Sequence, residues 1–366
     1  ISLILIPSTV LYRLKRNDMF KEQLKGRIAN KFPNFYHKSI SYYNSFLMKR
    51  GKIEARVQPN IVPENELLLK EQIKSYWHQI DKEIIPARDY LYHQEDLDSF
   101  RLGGGYFAHL KDDLIIASNG RGEMFTYQLK EKKLNKLKTN LNDIYIKADY
   151  KGKIIPGVSG YFGVKDIFFD KGKNRILASM NSENSDKKNC YGISIYTANL
   201  PSEISINNIN KLNFSEFFQT KSCNYHWKGH ASGGSIKRLK ENIIFTVGDM
   251  DMNETGLLKT AQSPTNEVGK VLSISDDGSY KVLSMGHRNQ QGLTIVNNKI
   301  FITEHGPTGG DEVNIIKPDK PHYGWPFFSH GFNYNRKILH RYTHTGEYSQ
   351  PLYYFSPTIA ISEIVF

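Results

Sequence analysis

The sequence is poor in the features that mark several large functional classes. It has two cysteines, Cys190 and Cys223, and no CxxC pair, which argues against a zinc centre. The two thiols are compatible with one disulfide in an exported protein or with two free side chains. A phosphate loop is also missing: Gly103-Gly104-Gly105 precedes a strand pattern and not a helix. Acidic residues are in deficit, 37 against 49 Lys and Arg, for a formal net charge of +12. A basic balance suits an anionic partner, but no nucleic-acid-binding motif accompanies it, so no nucleic-acid partner is expected. Long apolar runs are absent too. The longest candidate, residues 1–12 (ISLILIPSTVLY), is too short for a bilayer span of about 20 residues. Because Arg13-Leu14-Lys15-Arg16 follows abruptly, 1–12 reads as the end of a membrane anchor or signal sequence whose start precedes Ile1. The basic flank by itself prefers the cytoplasmic side. A buried N-terminal strand is the alternative.

What is present is enough to fill a sizeable core: 39% hydrophobic residues, with 22 Tyr and 20 Phe, in a chain of 366 that has room for one large domain or two ordinary ones. Residues 13–96 are poor in glycine, and 64–84 place Leu67, Leu68, Ile73, Trp77 and Ile80 near one helical face, predicting a partly helical N-terminal extension. From 97 to 366 the texture is short strands between turns. Four segments look alike, KDDLIIAS, GKNRILAS, KENIIFTV and NNKIFITE; aligned on Leu114, Ile176, Ile243 and Ile300 they are 62, 67 and 57 residues apart. A repeat built of strands only predicts a β-propeller, one blade per repeat; a β-sandwich is the alternative. At about 60 residues per blade, 97–366 holds four to five blades. The chain starts at Ile1 and stops at Phe366 inside an apolar run, and reads as a fragment at both ends.

The densest run of polar and special-backbone residues is 286–326. His287-Arg288-Asn289-Gln290-Gln291-Gly292 precedes an apolar strand, and Glu304-His305-Gly306-Pro307, Gly309-Gly310-Asp311-Glu312 and Tyr323-Gly324-Trp325-Pro326 follow it. Two polar clusters therefore flank one strand. A loop closing on Gly-Pro has a fixed backbone and can aim carbonyl oxygens at a hard cation. The second informative run is 227–251, where His230 sits among glycines that let a ligand approach the backbone, and Asp249 ends the next strand. A carboxylate orients an imidazole and stabilises its charged form, although a structural hydrogen bond would leave the same pattern.

The combination GHRNQQG, EHGP, GGDEVN and HYGWP resembles the glucose/sorbosone dehydrogenase family, the soluble glucose and aldose sugar dehydrogenases that use pyrroloquinoline quinone (PQQ). The family pattern reads GHRNxQG, EHGP or EQGP, DE and NYGWP, and GHASGG and VGD match its catalytic-base segment. The resemblance implies an all-β six-bladed β-propeller, with the last blades beyond Phe366. It implies PQQ and calcium as cofactors, an aldose sugar as substrate, an external electron acceptor, and a periplasmic or extracytoplasmic location, anchored to the inner membrane if 1–12 is an anchor. His230 would be the base that takes the anomeric proton while hydride passes to the quinone, with Asp249 orienting it. Arg288, Asn289, His305 and Asp311 would contact the cofactor, Asp311 also supporting its loop. The carbonyls of Gly306 and Pro307 would hold calcium. Gly324-Trp325-Pro326 reads as packing.

There are departures. Val158 stands where relatives often have Gln or Glu. Ser356 replaces a Trp, and Ala360-Ile361-Ser362-Glu363 replaces APSG. These leave room for a second reading, a propeller without catalysis that binds a glycan or a protein. His322, His330, His340 and His344 lack ligand spacing and read as surface or core residues. Asn213-Phe214-Ser215 and Asn253-Glu254-Thr255 fit a glycosylation sequon too short to carry weight.

Overall fold

The computed structural model describes residues 56–57, 105–148, 162–225, 227, 229–252, 260–331, 348–355 and 358–365. The segment 1–12, the expected helix in 64–84, and Val158, Ser356, His340 and His344 lie outside them. The chain divides into two units, 1–56 with 334–337 and 57–333 with 338–366. Everything below concerns the second.

Its strands form four antiparallel meanders, taken in chain order. The first sheet runs β1 (Gly105–Lys111), β2 (Leu114–Asn119), β3 (Met124–Gln128) and β4 (Lys133–Thr139). The second runs β5 (Val164–Asp170), β6 (Arg175–Glu183) and β7 (Cys190–Asn199). The short β8 (Lys211–Leu212) returns parallel to β4 of the first sheet, while β9 (Ser215–Gln219) and β10 (Asn224–Tyr225) both pair with β7. The third is β11 (Gly233–Leu239), β12 (Asn242–Val247), β13 (Lys270–Ile274) and β14 (Tyr280–Met285). The fourth is β15 (Gln290–Val296), β16 (Lys299–Glu304), β17 (Asp311–Ile315) and β18 (Tyr353–Phe355).

The four look-alike segments are the second strands of four successive sheets, β2, β6, β12 and β16. The first strands lie side by side, β1 against β5, β5 against β11, β11 against β15. Such a row, each sheet leading with its first strand toward a common axis, is a propeller arrangement and excludes a two-sheet sandwich. The expectation of strands alone needs one correction. Between β4 and β5 lies α1 (Leu141–Ala148), with Asp143 in its first turn and Leu141 buried in the first core. Among the described residues no helix is long and apolar enough to cross a membrane.

The second strands are apolar on both faces because each blade is covered on both sides. Side chains alternate across a strand. In β6, Ile176, Ala178 and Met180 enter the core shared with the first sheet, and Leu177 enters the next. In β12, Ile243, Phe245 and Val247 face back and Ile244 faces forward. The first strands are joined by polar bonds instead. The Ile236 amide of β11 donates to Asp166 of β5 at 2.8 Å, and the Ser235 hydroxyl of β11 donates to the Gln291 carbonyl of β15. The cysteines are joined: Cys190 and Cys223 form a disulfide with Cα atoms 5.3 Å apart.

Candidate active site

In a meander, the start of the first strand and the end of the second lie at the same edge. Gly233 opens β11 opposite Val247 at the end of β12, and Gln290 opens β15 opposite Glu304 at the end of β16. The His230 loop, the turn after β12, the His287–Asn289 run and the loop after β16 therefore share one edge of the two sheets. Hydrogen bonds tie them together. The Gly233 amide donates to Asn289 Oδ1 at 3.2 Å, the Asp249 amide to the Arg288 carbonyl at 2.7 Å, and the His305 amide to the Asn289 carbonyl at 3.0 Å.

Arg288 is buried among these loops. Its Nη1 donates to the carbonyls of His305 and Gly306, each at 3.2 Å, and its guanidinium carbon lies 5.4 Å from the centre of the Trp325 ring. Its backbone amide donates to Glu304 Oε1, and Glu304 Oε2 lies 2.9 Å from His287 Nδ1, whose Nε2 lies 2.8 Å from Ser284 Oγ. The line Ser284–His287–Glu304 has hydrolase-like spacing, but Ser284 and His287 are fully buried, so no substrate reaches the hydroxyl. It holds Arg288 in place.

A small cavity of about 10 Å³, room for about one water, is lined by Arg288, Glu304, His305, Glu312, Trp325 and Phe328, among others. Burial, and after it the charge of Glu304, pushes the Glu312 carboxyl up to about 8. It is therefore largely neutral at pH 7. The Nε2 of His305, a cavity-lining ring, is buried without a hydrogen-bond partner.

Several expected roles shift. His230 is partly exposed, and the carboxylate against its Nδ1 is that of Asp251, at 3.4 Å. The oxygens of Asp249, expected behind His230, take the Trp325 indole N–H at 2.6 Å and the Asp251 amide at 3.0 Å. Asp311, expected among the cofactor contacts, is fully buried. Its oxygens accept from the amides of Gly306 at 3.0 Å, Ile359 at 2.9 Å and Ala360 at 2.7 Å, so it fixes the loop from behind. The side-chain oxygen of Asn289 binds the His230 loop. The Gly306 carbonyl already accepts from Arg288, and a Cβ on Gly306 would fall on the Gly309 and Gly310 carbonyls, so this loop is close-packed. Among the described residues no group of three or more His, Cys, Asp or Glu is placed to hold a metal. Trp325, read from sequence as packing, belongs to the site. His322 is tied to Gln262 at 2.8 Å and accepts from the Gly324 amide at 3.0 Å, a structural role.

Blade-like sheets in a row, with a small polar cavity at one edge lined by an arginine, a histidine and a tryptophan, define a β-propeller-like fold. The model of the Glucose / Sorbosone dehydrogenase family matches residues 106–366, and the chain belongs to that family. It is 31% identical over 126 residues to quinoprotein glucose dehydrogenase B of Acinetobacter calcoaceticus, covering 27% of this chain and 26% of that protein. It is 32% identical over 136 residues to the aldose sugar dehydrogenase YliI of Escherichia coli, covering 31% and 36%. The chain thus spans about a third of the curated relatives it matches. The apo-form crystal structure of the Escherichia coli aldose sugar dehydrogenase superposes with a TM-score of 0.56 at 22% identity, over 72% of this chain and 75% of that one, and shares its fold.

Proposed function

We propose that this chain is the core of a PQQ-dependent sugar dehydrogenase that oxidises an aldose to its lactone, with calcium as second cofactor and an external electron acceptor. The observation that carries the reading is the polar lining of this small cavity. A tricarboxylate quinone needs positive charge and polar donors facing it. Arg288 supplies the charge, the neutral Glu312 adds no repulsion, and the partnerless His305 Nε2 is a buried polar atom that a ligand would satisfy. These residues fit the group. Arg288 and His305 would hold it, with Asn289 beside them. The carbonyls of Gly306 and Pro307 would hold calcium, which would polarise the quinone as a Lewis acid.

When bound, the quinone supplies the acceptor for the two electrons released at the anomeric carbon. The chain does the rest. His230, partly exposed beside Asp251 and outside the cavity lining, takes the proton of the anomeric hydroxyl as general base. Arg288, held by the His305 and Gly306 carbonyls and stacked on Trp325, places a fixed positive charge where negative charge builds up, and it does not reorganise during the reaction. Trp325 and Phe328 wall the cavity.

A six-bladed propeller closing beyond the four described sheets is part of this reading. So is export to the periplasm, which the Cys190–Cys223 disulfide supports, and so is a membrane anchor in 1–12. The test is dye reduction by the chain supplied with PQQ and calcium across a panel of aldoses. Sugar-dependent reduction supports the enzyme. Binding of glycans without turnover would support the non-catalytic propeller instead.

A further inference from the structure

The turn after β12 carries two carboxylates, and they are used differently. Asp249 is fully buried; it accepts from the Trp325 indole at 2.6 Å and, through Oδ1, from the amide of Asp251 at 3.0 Å. The second of these closes an Asx turn. Asp251 is partly exposed, and its Oδ2 lies 3.4 Å from Nδ1 of His230. Between them the backbone is unusual: Met250 and Asp251 have φ of +53° and +57°, both left-handed. Residues other than glycine visit this region singly and at a cost, and they persist there only where the surroundings impose it. The surroundings here are explicit. The Met250 amide donates to the Ala231 carbonyl at 3.0 Å, and the Met252 amide to the Asp249 carbonyl at 2.9 Å. The Asn224 side chain donates to the Met250 carbonyl at 2.8 Å. The other side is fixed as well, since the Trp227 indole donates to the His230 carbonyl at 2.8 Å. Both halves of the pair are thus built from rigid backbone, and the doubled left-handed turn brings the carboxylate of Asp251 to His230.

We propose that Asp251 is the positioning residue of His230. Its carboxylate accepts from Nδ1–H, holds the ring in the tautomer that presents Nε2 to the substrate hydroxyl, and stabilises the imidazolium formed when that proton arrives. Asp249 shapes the turn and anchors Trp325. A separation of 3.4 Å is long for a hydrogen bond, as such contacts often are before a substrate closes the site. The inference rests on His230 being the base of the proposed reaction.

The experiment is nitrogen-15 NMR of histidine-labelled chain, reading the His230 tautomer above neutral pH, in wild type, Asp251→Ala, Asp251→Asn and Asp249→Asn. Wild type shows Nδ1–H; Asp251→Ala mixes the tautomers; Asp251→Asn, which keeps an acceptor oxygen, restores Nδ1–H without the charge. Asp249→Asn keeps the tautomer and lowers Tm. In the loaded enzyme, Asp251→Ala loses about 10²-fold in kcat with little change in KM. An Nε2–H tautomer in wild type overturns the proposal, as does a tautomer unmoved by Asp251→Ala or erased by Asp249→Asn. If the tautomer responds to Asp251 while wild type oxidises no aldose with PQQ, the pairing stands and the enzymatic reading fails.

Discussion

At the scale of single residues, the site divides into groups that meet a ligand and groups that hold them. In the proposed reaction His230 belongs to the first. Replacing it by Gln removes the base and leaves the volume, so kcat should fall about 10²–10⁴-fold with KM little changed, measured by dye reduction at saturating sugar. Glu312 gives a prediction about stability. Its carboxyl is raised from the ordinary value to about 8, so the folded chain keeps a proton that the unfolded chain loses above about pH 4.3. Stability should therefore decline as pH rises from about 5 through 8. In Glu312→Gln that part of the slope should vanish in Tm measured against pH; an unchanged slope assigns it elsewhere. Arg288 and His305, which line the cavity, stood out in the sequence because their motifs are short and the glycines beside them specific; His230 stood out for the same reason but lies outside that lining. Asp251, Trp325 and Glu312 were not. Which of two carboxylates reaches a histidine depends on the handedness of a turn, and the charge of a carboxyl depends on burial that only the assembled sheets create.

At the scale of elements, loops carry the chemistry and buried acceptors fix the loops. Asp311 ties Gly306 to 358–360 through backbone amides. Removing a buried charged acceptor strands those donors, at about 1–3 kcal/mol each. Asp311→Ala should cost about 3 kcal/mol or more in denaturant unfolding. The disulfide acts on the other loop. Cys223 precedes Asn224, which holds the turn after β12. Cys190→Ser releases a loop spanning 33 positions, worth about 3–4 kcal/mol in the chain-entropy account, and should lower the unfolding midpoint accordingly. The second strand of each sheet was readable: β2, β6, β12 and β16 are compact apolar runs after a polar turn, and doubly covered strands read that way. The helix α1 was not, because eight residues carry too little periodicity to stand out.

At the scale of the whole molecule, the sheets are held, among the described residues, by three apolar cores and by buried charge. Asp170, fully buried, accepts from Arg238 at 2.6 and 2.7 Å and from Arg175 at 2.8 Å, so it locks the second sheet to the third. Arg238→Met should cost about 3 kcal/mol, because a buried carboxylate loses its bidentate partner. The repeat spacing made this architecture legible before any coordinate, since four segments about 60 residues apart cannot bury both faces unless they stack. What the molecule is for turns on whether the mouth between the third and fourth sheets receives PQQ. The most direct measurement is an equilibrium titration of PQQ, with calcium present, into wild type and an Arg288→Ala variant of unchanged circular dichroism. Losing one charge-assisted contact should weaken binding about 10–100-fold. Saturable binding in wild type with that loss is the predicted result; no binding in wild type, or equal binding in both, would contradict the account.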